Sequence, residues 1–240
     1  MAGKTLLILA SANDETARRL ATLWKGDGAR LVLPRDLSRP GWKYQPGQVE
    51  SSVAAVDGEL IPARQISGVL TRLGNIAENE LIEIASGDRE YVAREMSAFL
   101  LAWLSALTCP MLNRPGSICL SGPNWRPEQW AHAASQAAIP VVPSRRRVPY
   151  ENEPSPASRY EPPVTVTVVG KKCFGPKDKF LHDGARRIAR RANVELLAVN
   201  FVGSGKDARF LSADLWPNIS APDIADAVKE HLVGRARRGS

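Results

Sequence analysis

Apolar residues recur along this chain in two rhythms. One is a set of short unbroken runs, KTLLILA (4–10), RLVL (30–33), ISGVLT (66–71), TCPMLN (108–113), IPVV (139–142) and VTVTVV (164–169). Each is bounded by Gly, Pro or polar residues and reads as a buried strand. The other rhythm is helical. Ala17, Leu20, Leu23 and Trp24 follow a cap at Asn13 or Asp14; Val92, Met96, Phe99, Leu100, Trp103 and Leu107 follow Asp88. Trp130, Ala133, Ala134 and Ala137 lie on one face of 125–138, with Pro127 in its first turn. Strand, helix, strand repeated in this order predicts an α/β domain with a parallel sheet. Residues 34–65 show no period, with Pro40, Gly41, Pro46 and Gly47 interrupting.

The pattern changes at 144–163. SRRRVPYENEPSPASRYEPP holds five prolines and no apolar period, so it is read as a linker between a first domain, 1–143, and a last one, 164–240. In the last part a helix is expected over 180–192, with Leu181, Ala185, Ile188 and Ala192 inward and Arg186, Arg187, Arg190 and Arg191 outward. Strands 195–202 and 208–211 flank the turn GSGKD and should pair as a hairpin. Ser220 to Asp223 has capping-box form for a final helix with Ile224, Val228 and Leu232 inward, and the tail GRARRGS is expected to fray.

Composition narrows the function. The longest apolar stretch, 98–107, is about half a membrane span, so no membrane role is expected. The N-terminal apolar run is too short for a signal peptide and reads as the first strand. Three cysteines, Cys109, Cys119 and Cys173, at unrelated spacings encode neither a disulfide framework nor a CxxC site, which fits a reducing cytoplasm. The net charge of +7 is unevenly placed: residues 1–143 balance, and the whole surplus falls in 144–240. That asymmetry fits an anionic ligand or partner. Nucleic acid is a weaker reading, because the Arg145–Arg147 run has no interleaved aromatics.

There is no GxGxxG, P-loop, GxSxG or HExxH, and His132, His182 and His231 fall on three separate helices. Trp103 and Trp130 sit on core faces; Trp42 and Trp216, in turn-like settings, are freer to meet a partner. Arg72, Asn113 and Arg114 fall at the C-terminal ends of parallel strands, where open α/β sheets bind ligands. Arg72 could equally pair with a carboxylate such as Glu95.

Taken in order, VLTRLGN, the helix running into TCPMLNRPG, and the helix running into AAIPVVP resemble the pre-ATP-grasp region of RimK-like and microviridin-type ATP-grasp ligases. VTVTVVGKKCFG and the hairpin NFVGSGKDARFLSAD resemble the C-terminal ATP-grasp subdomain. The resemblance implies a Rossmann-like pre-ATP-grasp domain with a parallel sheet plus a small α+β unit, and points to Arg72, Asn113, Arg114, Asn200 and Lys171 as ligand-binding candidates. It also implies two departures. The lysine-bearing jaw that contacts the phosphates would have to fit between Val142 and Val164, where about twenty residues cannot build a three-stranded sheet. The family's acidic residue and its Glu-x-Asn pair fall on Asn200 and on Ser212-Ala-Asp214, which leaves Asp214 as the one candidate metal ligand. The expected function is a non-catalytic ATP-grasp-like binding or partner subunit without a cofactor, whose protein partner is itself or an ATP-grasp ligase. The alternatives are a reduced but active ATP-dependent carboxylate-amine ligase using Mg-ATP, and a nucleic-acid adapter acting through the basic C-terminal region.

Overall fold

Leu6, Leu7, Ile8 and Leu9 are all fully buried, so both faces of the first strand are covered. In a computed structural model that describes residues 4–143 and 163–234, this strand, β1 (Thr5–Ala10), lies inside a four-stranded sheet. It pairs in parallel with β2 (Ala29–Val32) on one side and β5 (Ile66–Arg72) on the other, and β5 pairs in parallel with β6 (Met111–Leu112). The expected strand over 108–113 thus shrinks to two residues at the sheet edge. The linker 144–162, the Arg145–Arg147 run within it and the tail from 235 lie outside the described residues.

The chain divides into two compact units, 1–124 with 218–240, and 125–217. In the first, α1 (Glu15–Leu23) starts at Asp14, whose carboxylate accepts the Ala17 N–H at 2.9 Å, one of the two caps expected. The stretch without a sequence period contains a hairpin, β3 (Val53–Val56) and β4 (Glu59–Pro62), turned by Asp57 and Gly58, both at positive φ. Asp-Gly is the dipeptide such a two-residue turn selects.

This hairpin and the long helix α2 (Arg89–Ala106) share one apolar cluster with the sheet, in which Leu7, Leu9 and Val69 meet Ala54, Val56, Leu100, Trp103 and Leu104. Asp88 precedes α2, but its side chain does not cap the helix. Trp42, expected in a turn-like setting, is half-buried and packs against the core. Its ring lies edge-on to Phe99 at 5.9 Å and to Trp103 at 5.3 Å, and its Nε1–H donates to the Asp36 carbonyl at 2.9 Å. The final helix, α5 (Pro222–Gly234), also belongs to this unit and packs on β5, with Val228 and Leu232 fully buried and Ile224 half-buried. Gly68 makes the packing possible: a Cβ there would stand 2.9 Å from the Leu232 carbonyl oxygen and 3.0 Å from its Cβ.

The second unit is an antiparallel sheet in the order β10-β9-β7-β8, formed by β7 (Val164–Val169), β8 (Lys172–Phe174), β9 (Leu196–Val202) and β10 (Arg209–Asp214). Two helices, α3 (Pro127–Gln136) and α4 (Lys179–Arg191), cover one face. There Trp130 and Ala134 meet Leu181, Ile188, Val166, Val168, Val199 and Phe210. The expected division at 144–163 therefore differs from the compact units. The apolar side of α3 packs against α4 and β10 rather than the first sheet, and the expected strand 139–142 is a single parallel bridge from Val141 to Phe210. The last helix leaves the C-terminal part in the same way, because its apolar face meets Gly68.

Replacing Gly68 with alanine should lower stability by about 1–3 kcal/mol, read as a lower urea midpoint at unchanged slope, since the added methyl meets backbone rather than a movable side chain.

Candidate functional site

Three of the candidate residues lie together in the first unit, at the C-terminal ends of β5 and β6. Arg72 closes β5, and its Nε–H donates to the Asp14 carboxylate at 2.6 Å, with only 7% of the Arg72 and 15% of the Asp14 side chain exposed. Asp14 is the α1 cap, so this ion pair ties the strand end to the helix start. The partner is Asp14 and not Glu95. Arg114 donates to the Leu107 carbonyl at 3.0 Å and the Cys109 carbonyl at 2.9 Å, holding the turn between α2 and β6. Asn113 is buried. The loop after β1 is tied down as well: the Ala12 N–H donates to the Glu80 carboxylate at 3.0 Å, and Arg18 donates to the Ala12 carbonyl. A carboxylate of the chain itself therefore occupies a backbone N–H at the strand edge where an anionic ligand would be received.

Two apolar depressions flank α2. One, of about 280 Å³, is lined by Leu37, Trp42, Glu95, Met96 and Phe99. The other, of about 200 Å³, includes Asn75, Ser97, Leu101, Ile118 and Cys119. Both are smaller than the roughly 300–1,000 Å³ of small-molecule sites. Burial pushes the Cys109 thiol up to about 11, against the pull of Arg114, and raises Cys173 too, so neither is a thiolate nucleophile near neutral pH.

The remaining candidates lie in the second unit. β9 and β10 pair with a bulge between Phe210 and Ser212, so Leu211 has no direct partner and Ser212 stands opposite Asn200. Without that extra residue the alternation of β10 would be inverted. With it, Asn200, Ser212 and Asp214 fall on one face, and Asp214 stands opposite Ala198. On the other side of β9, Thr165 is paired with Asn200 and Thr167 with Ala198. A hydrogen-bonded row results: the Thr165 hydroxyl donates to Asn200 Oδ1 at 2.7 Å, and Asn200 Nδ2–H donates to Ser212 Oγ at 2.9 Å. The Asp214 carboxylate accepts the Trp216 N–H at 2.9 Å.

Lys171 does not join this row. It lies in the β7–β8 turn, six residues beyond Thr165, at the opposite end of β7. At the other end of the hairpin, Asp178 accepts from the Gly205 N–H at 2.7 Å as well as from Phe180 and Leu181 at the start of α4. These bonds, the Gly205 one foremost, hold its carboxyl below the usual range.

The row does not fit a magnesium ion bridging phosphates. Such an ion needs several hard oxygen ligands, usually including carboxylates. Here both polar atoms of the Asn200 amide are engaged by neighbours and one carboxylate remains. Among the described residues no group of three or more His, Cys, Asp or Glu is placed to hold a metal, and no helix is long and apolar enough to cross a membrane. Thr165 is the residue of this face that the sequence reading passed over, although the VTVTVV alternation marks Thr165 and Thr167 as sharing a side.

No family model matches the chain, and no curated protein matches it by sequence. Solved structures do match. The macrocyclase MdnC of Microcystis aeruginosa MRC, bound with precursor peptide MdnA, aligns at a TM-score of 0.69 and 12% identity, over 96% of this chain and 99% of that one. The chain has the ATP-grasp ligase fold. The macrocyclase MdnB of the same organism aligns at 0.64 and 16% identity, over 96% and 99% of the two chains. A RiPP-associated ATP-grasp ligase of Chryseobacterium gregarium, in complex with ADP and a leader and core peptide, aligns at 0.63 and 10% identity, over 97% of each. Within this ATP-grasp fold, Asn200, Ser212 and Asp214 share one face of the hairpin that the sequence resemblance had pointed to.

If Arg72 serves Asp14 and the α1 cap, Arg72→Met should cost about 2–3 kcal/mol. Combining it with Asp14→Asn should cost less than the two single changes added, by about 1 kcal/mol or more in a denaturation cycle. Additive losses would detach the arginine from this role.

Proposed function

We propose that the chain is a non-catalytic ATP-grasp-like subunit that binds a peptide or protein partner in a peptide-modifying pathway. The observation that carries this reading is the Thr165–Asn200–Ser212 row. The hairpin positions that would carry magnesium ligands are joined to one another, and a lone Asp214 remains to balance a triphosphate.

Chain length supports the same reading. The interval from Val142 to Val164 has too few residues for a phosphate-binding sheet at about five or six residues per strand plus turns. The tied-down edge of the first sheet adds to it, since Arg72 and Arg114 are already engaged by the fold. Partnership with a peptide is carried over from MdnC and the Chryseobacterium ligase, both described with peptides bound. In this reading the described residues supply a scaffold and a recognition surface, and phosphoryl chemistry resides in another chain.

Isothermal titration with Mg·ATP should give no saturable heat at micromolar concentrations, and adding a full-length ATP-grasp ligase should leave the ADP released attributable to that ligase. Micromolar binding that is lost in Asp214→Ala would overturn the proposal and favour an active ligase of reduced form.

A further inference from the structure

The four arginines of α4 fall into two pairs with different surroundings. Arg187 donates to the Ala137 carbonyl at 2.9 Å, and Arg191 donates to the Gln136 carbonyl at 3.1 Å and its side-chain Oε1 at 3.2 Å. These two close the C-terminal end of α3, where cations satisfy exposed carbonyls and the helix dipole. Arg186 and Arg190 lie on the other flank. With Lys179 and Asp183 they follow the i, i+4, i+7, i+11 spacing of one helix face. An Arg186 N–H also reaches the Lys171 carbonyl at 3.5 Å, which sets the β7–β8 turn beside the helix.

The face carries four cations and one carboxylate. Asp183 is bonded to Arg186 at 2.6 Å, and that bond, with the nearby charges of Arg186, Lys179 and Arg187, holds its carboxyl below the usual range. Lys171, Lys179 and Arg190 are exposed and form no salt bridge among the described residues. Neither the fold nor the hairpin site accounts for them.

We propose that Lys171, Lys179, Arg186 and Arg190 form a docking surface for an extended acidic peptide segment. This rests on the reading of the chain as a peptide-binding subunit and assigns the charge of what it binds. Dimensions support an extended strand. Lys179 to Arg190 spans about 16 Å of helix, the length of about five extended residues. Arg186 and Arg190 are about 6 Å apart along the axis, close to the roughly 6.7 Å repeat of alternate residues in a strand. A segment with a carboxylate at every second position therefore matches the cations in sign and spacing. Peptide is favoured over single-stranded nucleic acid because the four cationic positions have no aromatic side chain between them on this face to stack a base.

The test is fluorescence anisotropy of the full chain with a labelled peptide of about eleven residues alternating Glu and Ala, in about 100 mM salt. The unaltered chain should bind it, and the same peptide with Gln for Glu should bind at least about tenfold more weakly. Lys171→Glu/Arg190→Glu should weaken binding by about tenfold or more with an unchanged circular dichroism spectrum, since neither side chain holds the fold together. Arg19→Glu/Lys25→Glu makes the same change of charge on the other unit and should stay within about threefold of the unaltered chain. Equal losses in the two double variants, equal binding of the Gln peptide, or tighter binding of an oligothymidylate at the same salt would each overturn the docking surface. None of these results bears on the nucleotide titration, so the non-catalytic reading stands or falls separately.

Discussion

One side-chain amide sets the character of the second unit. Asn200 sits on β9 between β7 and β10, accepts from Thr165 on one side and donates to Ser212 on the other, and so links three strands across their exposed side. The bond to Ser212 exists only because the Leu211 bulge turns Ser212 and Asp214 to the Asn200 face. The same geometry would gather carboxylates around an ion if carboxylates stood at these positions. With Asn, Ser and Thr in place, the donors and acceptors satisfy one another and form a cross-strand clamp.

The same economy runs through the first unit. At the C-terminal edge of a parallel sheet, Arg72, Glu80 and Arg114 each engage a group of the fold itself, whether carboxylate, backbone N–H or carbonyl. Polar groups at such an edge are available to a ligand only when the scaffold leaves them unengaged. The exposed cations of α4 and the β7–β8 turn, Lys171, Lys179 and Arg190, face solvent instead.

The strands and helices were legible in the sequence where burial is two-sided or strongly periodic. LLILA, ISGVLT and the α4 pattern all appear with their expected inward residues buried. The ordered motifs also carried the fold class, and the solved structures agree with it. What the pattern lacks is the identity of the surface that an apolar face meets. The faces of α3 and α5 were readable, yet α3 packs on α4 and α5 packs on Gly68, each across the division drawn at the proline-rich stretch. The β3–β4 hairpin had its Asp-Gly signal in plain view but lay among prolines that masked the alternation. Arg72, Asn200 and Asp214 could be located from sequence. The pairing of Arg72 with Asp14, and of Asn200 with Thr165 and Ser212, depends on strand order and on a one-residue bulge, which no local pattern encodes.

In the proposed non-catalytic reading, residue identity on one face, rather than backbone geometry, keeps a metal ion from this hairpin. Manganese titration followed by electron paramagnetic resonance, comparing the unaltered chain with Asn200→Asp/Ser212→Glu, tests it most directly. The unaltered chain should leave the free-ion signal undiminished at about millimolar metal, while the substituted chain, with three carboxylates on the shared face, should deplete it. Depletion by the unaltered chain as strong as that by the substituted one would contradict the account.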